Sequence, residues 1–214
     1  MALYFPEGAK FYFSQTFASA KTITVLTNAN PAVATSVAHG YADNDEILLT
    51  SGWEDATDTV FKVDQLTADT FSLLDFDTSN TGFYAAGTGI GTAQKLSAWT
   101  EIPQVLTIAT SGGDPRYTEV NLLARRNGVR IPTGFNPADV TLTLAHDPAN
   151  ANYKTMLNIS RTSTKVAFKL ALASGATSYG YGYMAVSDVP QMNANQVNQV
   201  TAAFSMLGRT ISYS

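Results

Sequence analysis

The chain has 214 residues, 45% of them hydrophobic, with no cysteine and a net charge of −4. That length holds one large domain or two small ones. Missing thiols exclude disulfides, thiolate metal sites and cysteine nucleophiles and suit folding in a reducing cytoplasm, and no run approaches the roughly 18 apolar residues of a membrane span.

Charged residues make up 14% of the chain, against about 25% in typical soluble domains. Interface cores are depleted of charge, so much of the surface is expected to lie against copies of the same chain. The charge is also segregated: residues 22–94 hold ten acids and one base, Lys62, for −9, and the remainder carries +5. Two structural units with different surroundings are expected.

The opening MALYFPEGAK lacks a basic start followed by an apolar run, so no secretion signal is expected. Residues 9–20 and 22–27 read as strands. Short runs follow at 32–39, 46–52, 59–66 and 70–76, divided by turn-rich separators. Strands at this spacing predict a small barrel or sandwich. The Gly/Thr/Ser-rich stretch 77–94 reads as a return linker. Beyond it, 102–112 reads as a strand, and Asn127-Gly128 inside 121–131 predicts a hairpin with a two-residue type I′ turn. In 140–147, Val140, Leu142 and Leu144 alternate with Thr141 and Thr143.

One helix is expected at 148–161. Asp147 can accept hydrogen bonds from free amides at its start, and Pro148 suits the first turn. Tyr153, Met156, Leu157 and Ser160 then fall at helical spacing. Strands resume at 164–172. In SYGYGYMAV, Tyr179, Tyr181 and Tyr183 share one face and Gly180 and Gly182 the other, where something must approach the backbone closely. In 197–207, Val200, Ala202, Phe204 and Met206 form one face, and Gln199, Thr201, Ala203 and Ser205 form a polar, uncharged one.

The stretch AHGYADNDE (38–46) is the first candidate for chemistry, with His39, Asp43, Asp45 and Glu46. An EF-hand loop counted from Asp43 or Asp45 places Ile47 or Leu48 where oxygen ligands or glycine are needed, so it fails. Zinc would need more His or Cys. Asn and Asp that hydrogen-bond their own backbone in a turn explain the stretch. GTGIG (87–91) lacks dinucleotide-loop spacing, SGGDPR (111–116) lacks the phosphate-loop ending, and no G-x-S-x-G elbow is present. His146 beside the expected helix start reads as structural, and the Asn158-Ile-Ser160 glycosylation triplet means nothing without a secretion signal. Neither cofactor nor metal is implied, and the chain does not read as an enzyme.

The passage RIPTGFNPADVTLTLAHDPANANYKTML (130–157), with NQVTAAFSMLGRTISYS (198–214), resembles the tail tube proteins of long, non-contractile-tailed bacteriophages, the lambda-like siphovirus group. Strand, single helix, strand and closing long strand occur in the same order. TNANPAVATSVAHGYADNDEILLTSG (27–52) and LTADTFSLLDFD (66–77) resemble small barrel modules inserted in phage structural proteins, which look like the first catalytic-cysteine half-domain of ubiquitin-activating enzymes. Asn44 stands where those modules usually have glycine, and it too tolerates a left-handed backbone. This second resemblance implies a fold and no enzymatic role.

The expected architecture is therefore mainly β. A tail-tube-type β-sandwich or barrel with one α-helix spans 1–21 and 95–214, and an inserted acidic small β-barrel with its return linker spans 22–94. The resemblance implies a virion tail protein assembled in the host bacterial cytoplasm. It would form homohexameric rings that stack around a tape-measure protein, meet tail terminator and distal tail proteins, and pass phage DNA without sequence-specific binding. Candidate assembly contacts are Arg116, Arg125, Arg126, Asn127, Gly128 and Arg130. A lumen that avoids basic side chains would let the polyanion slide, so Gln199, Thr201, Ala203 and Ser205 are the candidate lining, and the insert is expected on the outer wall. The alternative is a carbohydrate- or cell-surface-binding β module of a phage particle, with Trp53, Tyr179, Tyr181 and Tyr183 as stacking rings.

Overall fold

Alternating apolar and polar residues put most of the chain into antiparallel strands. The computed structural model describes residues 7–214, so Met1–Pro6 of the expected 1–21 segment lie outside the described residues. In chain order the strands are β1 (Lys10–Ser14), β2 (Lys21–Ile23), β3 (Val25–Leu26), β4 (Val33–Thr35), β5 (Glu46–Ser51), β6 (Thr59–Gln65), β7 (Thr70–Leu73) and β8 (Gly91–Lys95). There follow β9 (Thr100–Glu101), β10 (Val105–Gly112), β11 (Pro115–Val120), β12 (Val129–Phe135) and β13 (Ala138–Ala145). Helix α1 (Ala151–Thr162) precedes β14 (Lys165–Ala171), β15 (Thr177–Val186), β16 (Gln199–Met206) and β17 (Ile211–Tyr213).

The larger sheet runs β10-β13-β16-β15-β14-β1-β9, with β17 on the first half of β15. Its core side carries Phe11, Leu142, Phe168, Met184, Val200 and Phe204, all buried. Strands β1 and β16 stand three positions apart, about 14 Å in a flat sheet. Yet the Phe11 and Phe204 rings lie 5.2 Å apart, so the sheet folds over on itself and encloses its core between two layers. Gly180 permits the fit, because a Cβ there would fall 2.2 Å from the Phe168 ring.

Helix α1 covers this core with Tyr153, Met156 and Ile159. It starts three residues later than the sequence suggests. Asn150 is the cap, accepting from the amides of Asn152 and Tyr153, while Asp147 accepts from Ala149 in the turn before. The expected two-residue hairpin turn is also corrected. Strands β11 and β12 pair as a hairpin, but Val120 faces Val129, leaving residues 121–128 as an eight-residue loop. The β-prone pairs Thr118–Ile131 and Val120–Val129 set that register rather than Asn127-Gly128.

The smaller sheet runs β2-β8-β5-β6-β7-β4-β3. Its two ends, β2 and β3, are consecutive around Thr24, so one segment pairs with β8 by its first half and β4 by its second, and the sheet closes into a barrel. Ile23, Ile47, Leu49, Phe61, Phe71 and Ala93 fill it. The end of the expected linker is a correction: residues 91–94 belong to β8, which pairs with both β2 and β5. Only Ala93 of GTAQK is buried, so no apolar alternation betrays the strand.

The barrel packs on the outer face of the larger sheet, opposite the core side. Leu48, Val60 and Leu96 meet Ala167, Tyr179, Tyr181 and Tyr213 there. At the centre, the Glu46 carboxylate accepts from Lys169 Nζ at 3.0 Å, Tyr179 OH at 2.6 Å and Trp99 Nε1. The Lys169 and Glu46 side chains are only 18% and 16% exposed. Tyr213 OH accepts from the Lys62 amide at 3.0 Å and donates to the Leu74 carbonyl at 3.3 Å.

Glu46→Gln leaves Lys169 largely buried without its counter-charge and is expected to cost about 2–3 kcal/mol, read as urea stability. Lys10→Gln, which breaks the open Lys10–Glu101 pair, is the control and should cost under about 1 kcal/mol; equal losses would refute the junction's role. Burial pushes the Tyr213 phenol up to about 12, and burial with nearby Asp45 pushes Tyr41 up to about 12. The folded state disfavours these phenolates, so their contribution is intact below the unfolded tyrosine value, near pH 10, and drains as pH climbs toward 12. Denaturation titrated across that window should show the decline, and Tyr213→Phe should flatten part of it.

Candidate assembly interface

The acidic turn is structural throughout. His39 is buried; its Nε2–H donates to the Thr67 carbonyl at 3.0 Å and its Nδ1 accepts from the Tyr41 amide at 3.0 Å. Asp45 accepts from the Ala42 amide and from Lys95 Nζ, and Asp43 accepts from the Gln65 amide. Asn44 takes the left-handed backbone at φ 65°. Among the described residues no group of three or more His, Asp or Glu could hold a metal ion. The stacking rings fare similarly. Trp53 is buried and its Nε1 donates to the Ala85 carbonyl, while Tyr179 and Tyr181 are buried and Tyr183 is 41% exposed. Three of the four are packing residues and present no platform to a sugar.

What remains open is the surface around β10 to β13. Strand β10 pairs with β13 on one side only, and seven of its eight residues are exposed. Ile108 faces the same way as buried Leu142, yet stays 39% exposed at the sheet's rim. The β11–β12 hairpin prolongs the β10–β13 pair past the end of the sheet as a ribbon that pairs with neither sheet. Arg116, Arg125, Arg126, Asn127, Gly128 and Arg130 all sit on it and are exposed. Arg130 lies 3.7 Å from Glu119 and 4.8 Å over the Tyr117 ring. The ribbon also exposes Leu122, Leu123, Ile131 and Phe135. Sequence reading missed these as surface residues, because an apolar run beside a turn looks the same whether it packs inward or waits for a partner.

The polar face of β16 continues across its neighbours. Ala145, Thr143, Thr141 and Asp139 of β13 lie opposite Gln199, Thr201, Ala203 and Ser205. Thr107, Ala109 and Ser111 of β10 extend the same row. The three-strand patch is made of small or uncharged side chains except Asp139.

An open strand edge, a projecting ribbon and a wide neutral face are features of a protein that completes itself with other copies. Among the described residues no helix is long and apolar enough to cross a membrane. No curated protein matches the chain. Residues 51–214 match the family of the phage tail tube protein, TTP. The match begins at the last residue of β5, inside the barrel, and runs through every later element including α1. On that match, over most of its length, the chain belongs to the phage tail tube protein family, structural proteins of the phage tail.

Proposed function

We propose that the chain is the repeating, non-catalytic subunit of a siphovirus tail tube, assembled as stacked homohexameric rings that conduct DNA into the host. The open edge of β10 carries this reading. The open side of an eight-residue edge strand, where alternate residues present unpaired amides and carbonyls, invites pairing with another chain. Joining β10 to a neighbour around a ring satisfies those groups and covers Ile108. The patch of Gln199, Thr201, Ala203 and Ser205 then faces the lumen, where the near absence of charge keeps the DNA backbone from sticking. Head-to-tail contacts between rings propagate without closing.

In this reading residues 1–21 and 95–214 form the tube domain and 22–94 an inserted barrel of the type resembling the ubiquitin-activating half-domain. The barrel covers Tyr179, Tyr181 and Tyr213 on the layer formed by β1, β14, β15 and β17, away from β10. That layer is the outer wall. A tape-measure protein inside, terminator and distal tail proteins at the ends, and assembly in the host cytoplasm complete the proposal.

Electron microscopy of concentrated protein, alone and with tail-assembly partners, should show rings or tubes with an open bore. Ile108→Asp should leave a folded monomer that no longer assembles. Wild-type protein that stays monomeric under all these conditions would sink the proposal.

A further inference from the structure

We infer that the β11–β12 ribbon of one copy docks on the acidic barrel of a second copy. The inference rests on the self-assembly reading above and adds which surfaces meet. Residues 113–137 hold Arg116, Arg125, Arg126 and Arg130 against Asp114 and Glu119, a net charge of +2. Among the described residues only Arg130 of these has a carboxylate within 4.0 Å. Guanidinium groups do not discharge, so three permanent cations stand unpaired beside exposed Leu122, Leu123 and Phe135. A lone two-stranded ribbon is marginal in water, and one with both apolar and cationic residues bare needs a surface that offers both counterparts.

The barrel offers them. Residues 22–94 carry −9. Where the barrel meets the approach to β17, a cleft of about 200 Å³ is lined by Asp55, Asp75, Asp77, Phe76, Tyr84 and Arg209. Arg209 is its one cation and lies 3.9 Å from Asp55. Neither Asp75 nor Asp77 has a cationic partner within 4.0 Å among the described residues. The cleft therefore holds two carboxylates without a counter-charge, with the Phe76 and Tyr84 rings buried behind them, and it suits an arginine, whose fork pairs with carboxylates. Exposed Phe83 and Ile90 on the neighbouring loop add apolar surface. None of the ribbon's arginines reaches a barrel carboxylate within its own chain, so the complementary charge of a second copy is the occupant.

Since the chain has no cysteine, single-cysteine variants test the contact directly. Leu123→Cys at the ribbon tip and Ser79→Cys beside the cleft are made in separate copies, one carrying a size tag, then mixed, concentrated and oxidised. A disulfide-linked heterodimer is expected, at least about tenfold above the yield with Lys154→Cys on α1 in place of Ser79→Cys. Adding Arg125→Asp and Arg126→Asp to the ribbon copy should cut the yield about tenfold, and Asp77→Lys in the barrel copy should restore it, with melting temperatures showing each variant folded. Tubes visible by microscopy without the heterodimer overturn the docking and leave the tube reading standing. Neither tubes nor heterodimer overturns both. A yield that the arginine changes leave unmoved, or that Asp77→Lys fails to restore, also overturns the docking.

Discussion

A β-sheet has to dispose of its edges, because each edge strand presents a row of unpaired amides and carbonyls. The two sheets of this protein meet that constraint in opposite ways. The smaller one closes on itself, since Lys21–Leu26 pairs at both ends of the strand order. The larger one ends at β9, only two residues long, on one side and at the eight-residue β10 on the other. A short edge offers little to a partner. A long exposed one offers a template, and this one lies beside the ribbon that pairs with neither sheet. Much of the unsatisfied backbone is thus gathered in one region, which the proposed ring assembly would pair.

The second constraint is burial of the outer face of β14 and β15. Tyrosines at alternate positions leave bulky rings on that face, while Gly180 and Gly182 leave room on the other for Phe168 and for the adjoining strand β16. Tyr179 and Tyr181 need cover and the barrel supplies it. Apolar contact alone would allow several orientations. Glu46 selects one, because its carboxylate must meet Lys169, Tyr179 and Trp99 together. A charge so nearly buried is tolerable only in that arrangement. The barrel is therefore held in a fixed attitude to the sheet.

Much of this was legible where residue type alternates along a strand. Val140, Leu142 and Leu144, the two faces of 199–206, and the tyrosine–glycine alternation in β15 each show a residue period that matches the pleat. What was hidden depended on pairing over long sequence distance. Strand β8 has one buried side chain and is defined by its hydrogen bonds to β2 and β5. The barrel's closure depends on a kink at Thr24 that no local pattern marks. In the hairpin, Asn127-Gly128 is a strong local turn signal, and the register of the flanking pairs outweighs it. Asp147 and Asn150 are both good caps three residues apart, and the choice between them fell to the fold around β13 and α1. The polar face of β16 was readable as a face; what it borders needs the neighbouring strands.

The low charge of the chain takes a sharper meaning from this layout. Charge is sparse on the patch spanning β10, β13 and β16, concentrated as acid on the barrel, and concentrated as base on the ribbon. A single domain with the same total would gain solubility by mixing both signs over its surface. Separation by sign favours a particular contact between copies and penalises barrel-to-barrel or ribbon-to-ribbon approach. In the proposed docking the barrel has a role beyond decoration: by carrying the acid on a body outside the sheet, it keeps negative charge off the neutral patch while offering the basic ribbon a place to bind.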